Sequence, residues 1–276
     1  VKVIRCEMLE RQRLEAWAGA YPPVRTPKRV LVVMAGNIPL VGFFDLLCVL
    51  ASGHACRVKP SSKDTVLIGY VVDLLRTIDP AIPLRMAEQG ERPDAVIATG
   101  SDNANRYFRM LFGGIPSLLR GSRQSVAVLS GRETAAELSG LEEDIFSYSG
   151  LGCRNVSLLF LPRGYLPELR CTALNEKYRR NYLRERALLR MRRMPFVDLD
   201  GAVLCEDRSF PAALSCIHYT FYDSLADVEA WLAAHDDRLQ CVVSQCVRHS
   251  RRVAFGRAQH PGLTDYADDV DTMRFL

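Results

Sequence analysis

The sequence contains no CxxC pair, no GxGxxG fingerprint and no low-complexity segment. Its nine cysteines stand at uneven spacings, which argues against the disulfide framework of a small secreted protein and favours a reducing, cytoplasmic location. Cys241, Cys246 and His249 come nearest to a metal-binding spacing. Because a fourth ligand is lacking, we predict no metal site.

The sequence also lacks a strong charge excess and a long apolar run. A net charge of +4 gives no indication of nucleic-acid binding, although anionic small ligands would be tolerated. The most apolar stretch, Ile38 to Ser52, contains Asp45 and is shorter than the roughly 20 residues that a bilayer requires, so we predict a buried helix and no membrane span. The chain begins at Val1 without a signal-peptide pattern, and we expect its N-terminal part to be truncated.

What the 276 residues do contain is a globular composition, 48% hydrophobic and 25% charged, with an alternation of strand and helix patterns. This alternation predicts an α/β fold with a doubly wound parallel sheet, whose ligands bind at the carboxyl ends of the strands. The predicted strands are Arg29 to Ala35, Ala55 to Lys59, Asp94 to Thr99, Val126 to Leu129 and Val156 to Leu161. The predicted helices are Leu40 to Ser52, Thr65 to Ile78, Asn103 to Phe112 and Leu225 to His235.

A basic amphipathic helix is predicted over Lys177 to Arg193, which holds eight basic residues and one acidic residue, Glu185. Two interpretations remain open. The basic face is either a solvated surface or a contact for an anionic partner, such as the phosphates of a coenzyme or a carrier protein.

Cys153 lies in the run Gly150-Leu-Gly-Cys-Arg-Asn155, where small residues on its N-terminal side leave room for a substrate to approach the sulfur. The thiolate is the reactive form of cysteine, and an electropositive or amide-lined pocket favours it. A cysteine in isolation is more often an inert small hydrophobe. The nucleophile hypothesis therefore depends on the surrounding motifs.

Polar residues follow three of the predicted strands at their carboxyl ends. Asn37 follows the first strand, and Lys59 ends the second one and precedes Ser62. The turn Thr99-Gly100-Ser101 lies between a strand and a helix, where backbone amides and a hydroxyl can meet a phosphate. Each feature alone has a structural alternative, namely a cap, a solvated lysine or an ordinary turn.

Together these motifs resemble the aldehyde dehydrogenase superfamily and, within it, the LuxC-like acyl-CoA reductases. The resemblance runs from about Lys28 to the C-terminus in the order that the family shows. It is carried by Ala35-Gly-Asn-Ile-Pro39, Val58-Lys-Pro-Ser-Ser62, Ile97-Ala-Thr-Gly-Ser101 with Arg106-Tyr-Phe, Arg123-Gln-Ser-Val-Ala-Val128, Gly150-Leu-Gly-Cys-Arg-Asn155 and Asp265-Tyr-Ala-Asp-Asp-Val-Asp-Thr-Met273.

The resemblance implies roles for individual residues. Cys153 would be the catalytic thiol, and Asn37 with the Cys153 backbone amide would form the oxyanion hole. Lys59 and Ser62 would contact the adenosine ribose, and the Thr99-Gly100-Ser101 turn, through Ser101, the pyrophosphate. Because many NAD-preferring relatives carry an acidic residue where this chain has Ser62, the resemblance favours NADPH, with NADH possible.

Two departures from the superfamily pattern limit the reactions that the chain is expected to catalyse. The water-activating glutamate would fall near Leu119, and the stretch Leu118 to Ser122 contains no carboxylate. A thioacyl enzyme without such a base is not readily hydrolysed, which suits thioester chemistry. The ribose-binding Glu-x-Phe motif has no evident counterpart around Phe210 to Cys216.

The resulting hypothesis is an aldehyde-dehydrogenase-like fold with a Rossmann-type nucleotide-binding domain over 1–124, a catalytic thiol domain over 125–250, the active site between them, and a C-terminal segment, 251–276, that packs back near that site. Its function would be the NADPH-dependent reduction of an acyl thioester, acyl-CoA or acylated carrier protein, to the aldehyde through S-acyl-Cys153. We expect a homo-oligomer. The alternatives are a CoA-acylating aldehyde dehydrogenase that works oxidatively and a non-catalytic acyl-binding homologue that has lost cofactor binding.

Overall fold

The computed structural model describes residues 2–172 and 175–276. Its strands are β1 Arg29–Val33, β2 Ala55–Lys59, β3 Leu84–Met86, β4 Ala95–Thr99, β5 Ser117–Arg120, β6 Gln124–Val128, β7 Val156–Pro162, β8 Val197–Asp198, β9 Val203–Glu206, β10 Cys216–Tyr222, β11 Leu239–Ser244 and β12 Arg252–Val253. Its α-helices are α1 Lys2–Met8, α2 Arg11–Gly19, α3 Phe43–Ala51, α4 Thr65–Ile78, α5 Asp102–Phe112, α6 Ala135–Phe146, α7 Glu176–Met191, α8 Leu225–Ala234 and α9 Thr272–Phe275.

The chain forms two compact units. The first consists of the chain up to Ser122 together with Gly262–Leu276, and the second consists of Arg123–Pro261. The first unit therefore ends two residues before the boundary expected at 124. The C-terminal stretch expected over 251–276 is divided, because its first part belongs to the second unit and its last fifteen residues to the first.

The first unit is built on a five-stranded sheet in the order β3-β2-β1-β4-β5. Every pairing in it is parallel, with Val32 opposite Val58 on one side and opposite Ile97 on the other. The prediction of a doubly wound parallel sheet is confirmed. Strand β4 is buried on both faces, as in parallel sheets generally, whereas β1 buries Val30 and Val32 on one face and half-buries Leu31 and Val33 on the other.

The second unit is built on a seven-stranded sheet in the order β12-β11-β6-β7-β10-β9-β8. Only the short strand β8 pairs antiparallel with its neighbour among the strands described. Central strand β7 contains four consecutive fully buried residues, Leu158 to Leu161, and is covered by α6 and α8, whose Leu141 and Leu232 are equally buried. Five strands of this sheet, β8 to β12, are not predicted from the sequence.

Helix α3 has nine residues, Phe43–Ala51, and begins three residues after the predicted start at Leu40. Leu40 has a positive φ of 58° and lies in a turn, which is incompatible with a helix that starts there. Among the helices formed by residues 2–172 and 175–276, none combines the length and the hydrophobicity that a bilayer crossing requires.

Candidate functional site

Three loops at the carboxyl edge of the first sheet carry the predicted polar residues. Strand β1 lies between β2 and β4, so the segments that follow these three strands leave the sheet side by side. Asn37 is exposed in the bend after β1, and Lys59 is the exposed last residue of β2. Thr99 ends β4 and is followed by Gly100 and Ser101. The first unit therefore brings these predicted residues to one edge.

The loops after β1 and β2 are held together by close packing. Met34 N donates to the carbonyl of Lys59 at 2.9 Å. A Cβ on Gly36 would lie 2.5 Å from Ser61 Oγ, so any larger residue would push the two loops apart. The buried carboxylate of Asp64 accepts the N–H of Leu40 at 2.7 Å. These contacts place the Asn37 bend against the turn that contains Ser62.

The loop after β4 leads into the N-terminus of α5. Gly100 is required there because an added Cβ would lie 2.9 Å from the Cβ of Ala104. The Ser101 hydroxyl caps the helix by accepting the Ala104 N–H at 3.3 Å, and it keeps its own proton for donation. A helix N-terminus with a hydroxyl donor beside it is a suitable place for an anionic group.

The donor set at this edge is suited to an anionic group. Lys59 makes no ion pair with any residue that the structure describes, so its ammonium group remains available for an anion. Ser62 is exposed in the turn directly after it. Lys59, Ser62 and the Thr99-Gly100-Ser101 turn, expected from the sequence to bind the cofactor, thus lie at one edge of the first sheet.

Cys153 lies in the second unit, exposed in the turn that precedes β7. The turn is closed by a hydrogen bond from Asn155 N to the carbonyl of Gly152 at 3.1 Å. The Ser125 hydroxyl donates to the carbonyl of Cys153 at 2.9 Å and thereby ties the turn to β6. The thiol is thus presented at the tip of a tight, hydrogen-bonded turn.

Asn155 holds this turn in place, a role that its position at the end of the motif Gly150 to Asn155 does not reveal. Its side-chain oxygen accepts the Gly152 N–H at 2.8 Å. Its amide nitrogen donates to the carbonyls of Asp144, Ile145 and Ser147 at 3.2, 3.1 and 2.8 Å. The side chain is 4% exposed, so it fastens the thiol turn to the end of α6 from inside the protein.

Replacement of Asn155 by alanine should therefore destabilise the second unit and loosen the thiol turn. Because buried carbonyls would lose their donor, we expect a loss of about 3 kcal/mol in the free energy of unfolding. Asn155→Asp keeps the volume but faces three carbonyls with oxygen, so it should be at least as damaging. Denaturant unfolding measures the first effect, and the alkylation rate of Cys153 measures the second.

A matched control for Asn155 is Asn181→Ala, which removes one partly exposed hydrogen bond to the carbonyl of Lys177 in α7. It should change the stability by less than about 0.5 kcal/mol. Equal effects of the Asn155 and Asn181 substitutions on unfolding and alkylation would refute the positioning role.

The residues between α6 and the thiol turn have an uncommon backbone. Tyr148, Ser149 and Gly150 all lie in the left-handed region, with φ of 52°, 53° and 66°. Such a conformation costs free energy for residues other than glycine and persists only where the surroundings impose it. The Asn155 amide, which binds the carbonyls just before this segment, is one such constraint.

A fully buried carboxylate, Asp144, anchors the other side of this region. It accepts the backbone N–H groups of Gly256 and Ala258 at 2.7 and 2.9 Å. Burial raises its pKa to about 7, because desolvation of the charged form outweighs these two hydrogen bonds. The carboxyl group is thus protonated in the folded chain at pH values where an unfolded aspartate is ionised.

The stability of the chain should consequently depend on pH through Asp144. Its contribution is fully present below the unfolded pKa of about 3.9 and is lost as the pH rises through about 7, with a total on the order of 4 kcal/mol. Asp144→Asn should remove this dependence. The measurement is the difference in unfolding free energy between parent and variant at pH 4 to 8, and a difference that does not change with pH would contradict the assignment.

The stretch 118–122, where no carboxylate stands, serves the structure of the first unit. Arg120 ends β5 and is buried, with its guanidinium paired to Asp45 of α3. The same group donates to the hydroxyl of Thr272 at 2.7 Å, which fastens α9 to the sheet. The carboxyl end of β5 thus carries a cation engaged in an ion pair.

The three residues with a metal-like spacing have other partners. Cys241 Sγ lies 3.1 Å from the Ser125 hydroxyl, Cys246 contacts Ser244, and His249 lies 3.2 Å from Asp236. Within 2–172 and 175–276, no group of three or more His, Cys, Asp or Glu side chains is arranged to hold a metal ion.

Comparison with solved structures identifies the fold. The chain superposes on a putative aldehyde dehydrogenase from Burkholderia cenocepacia with a TM-score of 0.63 and 18% identity, covering 87% of this chain and 66% of that one. For Staphylococcus aureus AldH in a substrate-bound state the TM-score is 0.57 and the sequence identity is 19%, and the superposition covers 87% of this chain and 66% of that one. For an aldehyde dehydrogenase from Mycobacterium tuberculosis complexed with NAD+ the TM-score is 0.57 and the sequence identity is 17%, and the superposition covers 73% of this chain and 53% of that one.

These similarities show that the chain has the aldehyde-dehydrogenase-like fold with its Rossmann-type unit, as predicted. The chain spans between about half and two thirds of the length of these structures. No protein-family model matches the chain, and no curated protein matches it.

Proposed function

We propose that this chain, on an aldehyde-dehydrogenase-like fold, reduces an acyl thioester to the aldehyde with NADPH through a covalent S-acyl-Cys153 intermediate, as in the LuxC-like acyl-CoA reductases. The observation that carries the proposal is the exposed Cys153 thiol at the tip of a hydrogen-bonded turn. The anion-compatible loops at the carboxyl edge of the first sheet support it, since they suit the cofactor that this chemistry needs.

In the first step the Cys153 thiolate attacks the carbonyl carbon of the acyl thioester. The carbonyl oxygen gains negative charge, and the Asn37 amide would donate a hydrogen bond to it. The carbon–sulfur bond to CoA, or to the thiol of a carrier protein, then breaks, and that thiolate leaves and takes up a proton. The acyl group remains on Cys153 Sγ.

NADPH, when bound, supplies the hydride that brings the acyl group to the oxidation level of an aldehyde. Lys59 would attract the phosphates, while the hydroxyls of Ser62 and Ser101 would orient the ribose and the pyrophosphate. Release of the aldehyde breaks its bond to Cys153 Sγ and returns the thiolate for another cycle.

The absence of a carboxylate from the stretch 118–122, at the end of β5, supports reduction of the acyl group over its hydrolysis to an acid. Hydrolysis of a thioacyl enzyme needs a base that activates water. The stretch 118–122, where the superfamily pattern places this base, contains no carboxylate, and its Arg120 is held in an ion pair with Asp45. An enzyme that lacks this base would keep its S-acyl group long enough for it to be reduced.

The test is the loss of nicotinamide absorbance when the chain is mixed with NADPH and acyl-CoAs of graded length. Consumption of NADPH with stoichiometric release of free CoA and aldehyde supports the proposal. Acylation of Cys153 without NADPH consumption would instead support an acyl-binding homologue. Release of carboxylic acid would contradict the reductive mechanism.

The choice of cofactor should depend on position 62. A 2′-phosphate brings about two negative charges toward Lys59 and Ser62, and a close pair near a surface is worth on the order of 1 kcal/mol or more. We therefore expect a preference for NADPH over NADH of about tenfold. Ser62→Glu should reverse it, because the carboxylate repels the phosphate and accepts the free ribose hydroxyls. The measurement is the ratio of kcat/KM for the two cofactors.

A control for charge alone is Ala233→Glu, at an exposed position of α8 in the second unit. It should leave the cofactor ratio unchanged. A parent that prefers NADH, or an unmoved ratio in Ser62→Glu, would mean that position 62 does not face the ribose.

A further inference from the structure

Helix α7 of the second unit has one buried face. Tyr178 and Tyr182 are 2% and 4% exposed, and both pack into the hydrophobic core together with Leu189. The helix begins at a firm cap, because the Asn175 side chain accepts the N–H of Tyr178 at 2.7 Å. Its position on the unit, and hence the direction of its opposite face, is thereby fixed.

The opposite face carries an apolar strip in solvent. At 100° per residue, Leu183, Ala187 and Met191 follow one another at intervals of four positions and point away from the two buried tyrosines. All three are exposed, Leu183 at 46% and Met191 at 80%, and Met194 just after the helix is 51% exposed. Leu183 and Met191 thus place two large apolar side chains on the solvent-facing side of the helix, C-terminal to Arg180 on the same side.

Cationic side chains flank this strip on both sides. By the same helical geometry, Arg179 and Arg190 lie along one flank, and Lys177 and Arg184 lie along the other. Arg192 and Arg193 follow at the end of the helix. The strip and its flanks, from Lys177 to Met194, form the α7 surface.

Most of these charges are not neutralised within the chain. Arg184 pairs with Glu185, and Arg180, near the start of the strip, pairs with Glu176. The other five cations of the α7 surface form no ion pair with any residue in the described part of the chain: Lys177, Arg179, Arg190, Arg192 and Arg193. The surface therefore combines uncompensated positive charge with exposed apolar area.

We propose that the α7 surface docks the protein on anionic phospholipid bilayers, with the helix lying in the plane of the headgroups. An apolar strip between two rows of arginine and lysine matches this environment. Leu183 and Met191 would enter the upper acyl region, while the long cationic side chains reach back to the phosphates. The proposal is independent of the chemistry at Cys153.

The experiment is co-sedimentation of the full chain with vesicles at 0.1 M salt, in fluid phosphatidylcholine alone and with 40 mol% phosphatidylserine. We expect the anionic vesicles to bind at least about 30-fold more tightly. Arg179→Glu combined with Arg190→Glu should lower that affinity at least about tenfold, because four units of charge change on one flank. Circular dichroism and thermal unfolding verify that the variants fold.

The matched control is Arg132→Glu combined with Arg248→Glu, two exposed arginines elsewhere on the same unit. The net charge changes by the same amount, and binding should fall by no more than about threefold. Equal losses in the two double variants would overturn the proposal, because the net charge of the protein and not the α7 surface would then govern binding.

The apolar strip has its own test. Leu183→Gln combined with Met191→Gln leaves every charge in place and should weaken vesicle binding about tenfold. Unchanged binding of this variant would overturn the proposal, because insertion of the strip would not occur. The same holds if the chain binds soluble polyglutamate as strongly as the anionic vesicles, since the α7 surface would then recognise an acidic protein.

Discussion

Replacement of Cys153 by alanine is expected to abolish both the acylation of the chain and its consumption of NADPH with acyl-CoA. Removal of a catalytic nucleophile costs several orders of magnitude in rate, so turnover should fall by at least about 10⁴-fold. Incubation with acyl-CoA in the absence of cofactor should add one acyl group to the parent and none to Cys153→Ala. Intact-mass spectrometry detects the adduct directly.

The surroundings of the other cysteines explain why Cys153 should be selected. Burial raises the pKa of Cys56 to about 12 and that of Cys241 to about 11, which suppresses their thiolate forms at neutral pH. Cys153 and Cys6 are the two exposed cysteines of the nine. Cys6→Ala is therefore the matched control, and it should retain the adduct and the activity.

Two results with the alanine variants would contradict the assignment of Cys153 as the nucleophile. If Cys153→Ala acquires the same adduct with the same rate, the nucleophile lies elsewhere. If Cys6→Ala loses the adduct, the acylation is a surface reaction of an exposed thiol and not the first step of catalysis.

The second large effect is expected at Asn37. An oxyanion donor is worth about 3 to 4 kcal/mol of transition-state stabilisation, so Asn37→Ala should lower turnover roughly 100-fold to 1,000-fold. Asn37→Asp should be at least as slow, because a carboxylate repels the developing oxyanion. The measurement is kcat with a saturating acyl-CoA.

A purely structural role for Asn37 would give a different pattern. The residue is exposed in its bend, so its replacement should leave the chain folded, and any change in the free energy of unfolding should be small beside the loss of turnover. Asn181→Ala, a substitution of the same kind in α7, should leave both turnover and stability unchanged. Turnover of Asn37→Ala within a few-fold of the parent, with unaltered stability, would remove Asn37 from the proposed mechanism.

The strands and helices that were predicted best are those whose local hydrophobic pattern identifies them without reference to residues far away in the sequence. Strand β2 and helix α4 have the predicted bounds, Ala55–Lys59 and Thr65–Ile78. Strands β1 and β4 each contain four consecutive aliphatic residues, Val30–Val33 and Ala95–Ala98. Such runs are typical of strands in parallel sheets. The order of these elements alone predicted the doubly wound sheet.

The strands that the sequence did not predict owe their structure to their neighbours. Strand β10 contains His218, Tyr219 and Thr220 and lacks a continuous apolar run, yet it pairs with β7 along its length. Strands β3 and β5 have only three and four residues. Short or polar segments become strands because the sheet supplies hydrogen-bonding partners, and local propensity does not reveal this.

In the candidate site, too, some features follow from the sequence and others only from tertiary contacts. The sequence by itself determined the α/β class and the strands whose carboxyl ends carry Asn37, Lys59 and Thr99, because these follow from the order of elements along the chain. The choice of Cys153 among the nine cysteines rests on the resemblance to the aldehyde dehydrogenase superfamily and stays a prediction. Only the tertiary structure decided that Asn155 clamps the thiol turn, that Arg120 is bound by Asp45 and Thr272, and that Asp144 anchors residues more than a hundred positions away. The physical reason is that buried polar groups must find partners, and the partners come from whichever segments the packed sheets bring within hydrogen-bond distance.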